Sequence, residues 1–208
     1  LSLYPLLSKF YQTDNDKFKH MFNIGLKVIF IISIFITIPL AFNAEKLIET
    51  FYIESYSSAS VAFRVLVLSL SFSFFNFYFV DFFIAMKRQR LNTIILAIAL
   101  VGNVLLNILL IPRYSFIGAS YVRLATAFII FCIFLFFIYR DMRSYVHLDL
   151  RLFIVAIFYV GIQFLLINQN IFLIAFIDLF VFAALLFIFK VVTKEDVLLV
   201  KELVLRKS

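Results

Sequence analysis

The chain has 208 residues, of which 65% are hydrophobic and 15% charged, with 30 Phe, no Trp, 4 Gly, 3 Pro and a mean hydropathy of +1.10. Soluble domains average roughly 45–50% apolar and 25% charged residues, so this composition excludes one and points to an all-α integral membrane protein. The formal charge of +7 gives no reason to expect a nucleic-acid partner, because the basic residues flank apolar runs and form no single stripe.

In chain order, residues 1–9 are too short to span a bilayer, which takes about 20 apolar residues, and read as the last turns of a truncated helix. The polar run from Tyr11 to His20 reads as a loop, so 1–20 is taken as a helix end plus a cytoplasmic loop. Helix A is expected from about Met21 to Phe42. In the connection that follows, Leu47, Ile48, Phe51 and Tyr52 recur at helical spacing opposite Glu45, Lys46 and Glu49, the pattern of a surface-lying amphipathic helix. Helix B is expected over about Ala59–Met86 and is long enough to tilt. Helices C (about Leu91–Ile111) and D (about Phe116–Tyr139) follow, then a charged loop over Arg140–Arg151. Helix E is expected over about Leu152–Ile167 and helix F over about Ile171–Val192, joined by the tight turn Asn168-Gln169-Asn170. The predicted architecture is six complete transmembrane helices within 21–192, plus an amphipathic tail, 193–208. In that tail Thr193 and Asp196 resemble a capping box.

Loop charge predicts the orientation. Lys9, Lys17, Lys19, Lys87, Arg88, Arg90, Arg140, Arg143, Arg151, Lys190, Lys194, Lys201, Arg206 and Lys207 fall in alternate loops, whereas the opposite loops hold Lys46 and Arg113. The positive-inside rule assigns the first set, and the C-terminus, to the cytoplasm.

Little in the sequence suggests an enzyme. His20 and His147 lie in separate loops with no acid or cysteine at metal-ligand spacing, and no glycine-rich phosphate loop is present. No metal or other cofactor is expected. Cys132, alone in an apolar run, leaves no intrachain disulfide. The informative residues are charges inside the spans, because these are costly in lipid. They are Lys27, Arg64, Arg123, Asp81 and Asp178. At about 1.5 Å per residue, Arg123 and Asp178 both lie roughly 10–14 Å inward from the outer ends of their helices. Lys27 and Asp81 both lie near the cytoplasmic end. Two readings stand side by side. One pairs Lys27 with Asp81 and Arg123 with Asp178 structurally. The other has Arg64, Lys27 or Arg123 facing a cavity and contacting phosphate. Arg64 lacks an obvious acidic partner, though it can also snorkel to the outer interface. Asp178 is the deep acid for any ion coupling.

The stretch 103–120 joins helices C and D. Asn103 and Asn107 lie four residues apart on one helix face. The helix is expected to stop at Ile111-Pro112, because the residue before proline is pushed out of the helical region. Arg113-Tyr114-Ser115 then makes a turn, and Gly118-Ala119-Ser120 opens the next helix. Small residues let membrane helices approach and buried amides bond across them, so Asn103, Asn107, Pro112 and Gly118 are assigned to helix packing.

This hairpin resembles the signature of polysaccharide exporters in the MOP (multidrug/oligosaccharidyl-lipid/polysaccharide) superfamily, the O-antigen and related lipid-linked oligosaccharide flippases. There the segment reads close to N-x-x-L-N-x-x-L-I-P-x-Y-G-x-x-G-A-A. Ser115 stands here at the usual second-turn glycine and Ser120 at the last alanine. Tyr4-Pro5-Leu6-Leu7-Ser8 also resembles a proline-containing helix end of that family, and the likeness runs on to Lys194-Glu195-Asp196. The resemblance implies a MOP-type helical lobe, the second half of a flippase of about fourteen spans in which two lobes face a cationic cavity. The missing N-terminal lobe, membrane lipid and a lipid-linked oligosaccharide would be its partners. It implies movement of undecaprenyl-pyrophosphate-linked sugars across the bacterial inner (cytoplasmic) membrane for surface polysaccharide assembly. The competing expectation is an ion-coupled multidrug or metabolite exporter of the same superfamily. A membrane-embedded polymerase or acyltransferase would need a catalytic cluster that does not stand out.

Overall fold

The computed structural model describes residues 4–52, 56, 58–142, 149–166 and 169–191. Helices α1 (Tyr4–Thr13), α2 (Asn15–Phe42), α3 (Ala44–Phe51), α4 (Ala59–Ala85), α5 (Gln89–Met142), α6 (Leu150–Leu166) and α7 (Ile171–Ile188) follow in order. The chain divides into two compact units between residues 148 and 149; α1–α5 belong to the first and α6–α7 to the second. The amphipathic tail expected at 193–208, most of the 140–151 loop and Asn168 lie outside the described residues.

By length and composition α2, α4, α5 and α7 can cross a bilayer, and α6 is a shorter apolar helix. Their polarity runs inside out. Phe77, Leu100, Ile108 and Phe187 are exposed, while Ser33, Thr37, Ser69, Ser73, Thr126 and Asp178 are buried. Water selects the reverse arrangement, whereas hydrocarbon tolerates apolar surfaces and drives polar groups to find partners inside. The protein is a multi-pass membrane protein.

The run from Tyr11 to His20, expected to be a loop, is mostly helical. Helix α1 reaches Thr13, and only Asp14 leaves the helical region before α2 starts. Asp14 acts as the N-cap, accepting from the Lys17 backbone N–H at 3.1 Å, with the Lys17 ammonium 2.9 Å away. Those bonds hold its carboxyl below the ordinary carboxylate value. Polar composition suggested a loop, but an Asp with a lysine three residues on is also how a helix restarts. At the other end of α2, Asn43 bonds the Pro39 carbonyl through both its backbone N–H and its Nδ2, at 2.9 and 3.0 Å. This lets α3 begin within one residue of the end of α2. Helix α3 is the expected amphipathic segment, with Ala44 and Ile48 buried and Phe51 exposed.

The largest departure from expectation lies in α5, which is 54 residues long. Straight, it would measure about 80 Å, more than twice the hydrocarbon thickness. Instead it doubles back: Asn103 Nδ2 lies 2.9 Å from Thr126 Oγ1, although the two residues are 23 apart. The reversal occurs at Ser115, whose φ of 53° and ψ of −139° break the helix between limbs 89–114 and 116–142. The first limb runs through Pro112 and does not stop before it. A proline in the last turn forfeits only the bond to the carbonyl four residues back, and the chain reverses directly afterwards. Ser115 thus adopts a conformation that suits glycine. Ser115→Gly is expected to stabilise the protein by about 1 kcal/mol, read as a higher unfolding temperature in detergent.

Helix α4 ends with Lys87 at φ 61°, where Arg88 N–H bonds the Phe83 carbonyl at 2.8 Å in a Schellman-type closure. Lys190 at φ 48° ends α7 in the same way, with Val191 N–H bonding Leu186. In the first unit α4 is central and packs on α1, α2, α3 and α5. Its contacts are largely aromatic: Phe82 sits 4.1 Å from Phe22 and 5.2 Å from Phe18 by ring centroids, and Phe83 sits 5.5 Å from Phe134. Each such pair adds about 0.5–1.5 kcal/mol beyond its buried area. In the second unit α6 and α7 meet along Leu152, Val155, Tyr159, Gln163 and Ile174, Asp178, Phe182, Leu185, stripes spaced by three and four residues.

Candidate functional site

Among the described residues, side-chain polarity in the first unit is concentrated in a seam across its helices. On α4, Ser69, Ser73 and Asn76 recur at helical spacing within a Phe-rich run and so share one face. Asn76 Nδ2 donates to the Ala127 carbonyl at 2.9 Å, and Arg123 Nη2 donates to Ser73 Oγ at 3.1 Å. Ser73 Oγ itself donates to the Ser69 carbonyl at 3.0 Å. One turn further along the second limb of α5, Thr126 receives the Asn103 amide, and Asn107 donates to Asn103 Oδ1 at 2.9 Å. Toward α2, Ser71 donates to Thr37 Oγ1 at 2.9 Å. The seam therefore links α2, α4 and both limbs of α5 by hydroxyl and amide bonds, the interactions that hold helices together in lipid.

Asn103 accordingly bonds across the hairpin, and Asn107 braces it. Double-mutant cycles value such bonds at about 0.6 kcal/mol, so Asn103→Val, which loses two of them, is expected to lower stability by about 1 kcal/mol and to leave insertion intact. Detergent unfolding curves would measure it. Gly118 is buried against the Leu110 carbonyl, where an added Cβ would come within 2.7 Å, and Pro112 is exposed at the bend.

The five charges have different environments. Lys27 on α2 and Asp81 on α4 are both half-buried, on helices that pack together. Arg64 is exposed, and its Nε donates to the Ala41 carbonyl at 3.1 Å, covering a carbonyl in the last turn of α2. It stands nine residues from Ser73 on α4, half a rotation away at 100° per residue, so Arg64 and Arg123 work on opposite sides of that helix. Lys27 lies 14 residues before Ala41, about 21 Å down α2. The three cations do not converge on one point. Arg123, by contrast, sits well inside the second limb of α5, exposed, and its described hydrogen bond is to a neutral hydroxyl. Asp178 belongs to the second unit, buried between α6 and α7, and its Oδ1 accepts from Gln163 Nε2 at 2.6 Å.

Reading charges alone missed Ser73, Asn76, Thr126 and Gln163. The signal was present: a serine–asparagine stripe in α4 and a lone glutamine in α6 are both unusual for lipid-facing helices. Among the described residues no group of three or more His, Cys, Asp or Glu could hold a metal.

A helical membrane lobe with a reversed hairpin and a polar seam defines the fold class, and solved structures place it. The chain matches the lipid II flippase MurJ in its inward closed conformation with a TM-score of 0.72 at 19% sequence identity, over 95% of this chain and 44% of that one. At that identity the likeness shows the fold alone, that of the matched part of the MurJ chain. In sequence, the chain is 29% identical over 122 residues to the uncharacterized membrane protein MJ1068 of Methanocaldococcus jannaschii, covering 57% of this chain and 24% of that protein. The chain thus spans less than half the length of either relative. No protein-family profile matches it.

Proposed function

We propose that the chain is one lobe of a flippase that carries a lipid-linked oligosaccharide, built on an undecaprenyl pyrophosphate carrier, to the outer leaflet for surface polysaccharide assembly. It works as a transporter, with no chemistry done on the cargo. The observation that carries this reading is Arg123. A guanidinium inside a membrane span costs about 2.5–3.5 kcal/mol at mid-bilayer by insertion scales, and a neutral serine does not offset its charge. Such a cation belongs at a water-filled cavity, where a pyrophosphate can take its remaining N–H donors.

The α5 limbs, each about 39 Å long, are two spans in this reading. With α2, α4, α6 and α7 the lobe has six, and the charge pattern orients it with the C-terminus in the cytoplasm of a cell with an inner membrane. The cargo's polyprenyl tail would stay in the apolar surroundings, and a second, N-terminal lobe would close the cavity by rocking against this one. The fold shared with a lipid II flippase supports movement of a lipid-linked precursor.

The test uses the full-length parent protein in a host deleted for its own polysaccharide flippase. Restored surface glycan, with lipid-linked oligosaccharide cleared from the inner leaflet, is the expected result. Correct insertion with no restoration, together with a gain in drug tolerance, would replace it with the ion-coupled exporter of the same superfamily.

A further inference from the structure

The second unit holds a polar cluster that the cargo reading leaves unused. Asp178 on α7 is 3% exposed, and Tyr159 and Gln163 on α6 are 0% and 1% exposed. Gln163 occupies Oδ1 of the carboxyl through its amide, at 2.6 Å. The Tyr159 hydroxyl lies close enough to interact with the carboxyl. Yet neither that hydroxyl nor Asp178 Oδ2 has a hydrogen-bond partner among the described residues. Two buried oxygens of one cluster therefore lack a partner in good hydrogen-bond geometry, although buried polar atoms are almost always paired.

The other charged groups described on this hairpin are remote. Asp149 and Arg151 lie at the start of α6, with Arg151 eight residues from Tyr159, and Lys190 lies twelve residues beyond Asp178. Those spacings are about 12 Å and 18 Å along the helices. An ionised carboxylate here would be a buried charge with no cation from α6 or α7, the costliest state available to it.

We infer that Asp178, Tyr159 and Gln163 form a proton-binding site between α6 and α7. The proton comes from water and bonds to Asp178 Oδ2, which becomes a hydroxyl donor to Tyr159 Oη while Oδ1 keeps the Gln163 amide. The Tyr159 hydroxyl brings its own hydrogen and can bond Oδ2 in either state, so what the added proton supplies is removal of the buried charge. A proton needs one oxygen to carry it and one to receive its hydrogen bond. Divalent cations want six or more oxygen ligands, which three side chains do not supply. Since all three side chains are buried, loading and release require the cluster to open. The proton is thereby linked to a movement of the hairpin, whichever cargo the protein carries.

Infrared spectroscopy of the full chain in lipid vesicles at neutral pH, with aspartate labelled with carbon-13 at its side-chain carboxyl, tests this directly. The expected spectrum contains an isotope-shifted carbonyl stretch of an un-ionised carboxylic acid. That band is lost in Asp178→Asn, whose amide keeps the same shape, donating to Tyr159 and accepting from Gln163, so the variant folds. In Tyr159→Phe the band persists and moves to higher frequency, because its hydrogen bond has gone. Identical acid-band regions in the parent and Asp178→Asn would overturn the proposal, because Asp178 is then ionised. A band lost with Asp178 but unmoved by Tyr159→Phe would overturn the site as described. Neither outcome depends on the cargo.

Discussion

Gly118→Val is expected to remove most of the folded protein from the membrane. An added Cβ at this position would lie 2.7 Å from the Leu110 carbonyl oxygen and 3.0 Å from Tyr114 Cβ. The nearer obstacle is backbone, which cannot swing aside as a side-chain tip can. Relief would require the two limbs of α5 to separate at the bend, and with them the Asn103–Thr126 bond further along. Overpacking of this kind costs about 1–3 kcal/mol, and the valine adds two further methyls to the same gap. Gly102 and Gly161 serve as controls, since an added Cβ meets nothing within 4 Å at either. Gly102→Val and Gly161→Val should keep parental yield. Monodisperse yield after detergent extraction, with the unfolding temperature of what remains, separates these cases. Equal yields for all three would mean that the hairpin does not close as tightly as Gly118 indicates.

If the proposed function holds, Arg123→Ala reduces export of the lipid-linked sugar by about 10- to 100-fold, the effect of losing one charge-assisted hydrogen bond of about 1.5–3 kcal/mol to phosphate. Membrane levels should stay normal, because the native partner left behind is a serine that still donates to the Ser69 carbonyl. Arg123→Lys should recover part of the activity, as an ammonium keeps the charge without the planar fork. Arg64→Ala makes the instructive contrast. Its loss uncovers the Ala41 carbonyl at the end of α2, so a fall in unfolding temperature is expected to exceed any loss of transport per folded molecule. Transport assayed in vesicles, normalised to inserted protein, gives both numbers. Undiminished transport by Arg123→Ala would remove the cation from the pathway.

The sequence by itself determined the membrane class, the helical architecture and most helix positions. Apolar runs of the right length can exist in lipid only as helices, and a helix is a local structure whose ends are written in nearby residues. Helix B was expected over 59–86 and α4 covers Ala59–Ala85; the amphipathic spacing before it became α3. The two asparagines of helix C stood out because an amide in hydrocarbon must find a partner, and they bond Thr126 and each other. Less legible was the run 11–20, where the same polar residues serve equally as a loop or as a cap between two helices.

Only the tertiary structure decided what each charged and polar side chain meets. Depth along a span can be counted from sequence, but rotation toward a neighbour cannot, because which helices are adjacent is set by packing far along the chain. Depth alone suggested pairing Arg123 with Asp178. Within its own unit, Arg123 meets the hydroxyl of Ser73 and Asp178 the amide of Gln163, partners of which depth gives no sign. It likewise turns α5 at Ser115, one residue with a glycine-like backbone, where sequence spacing had suggested a longer turn beginning at the proline. Neutral hydroxyls and amides carry no long-range field to announce themselves. They become partners once close packing has set the distances, and in lipid, with no water to compete, those short contacts decide the interior.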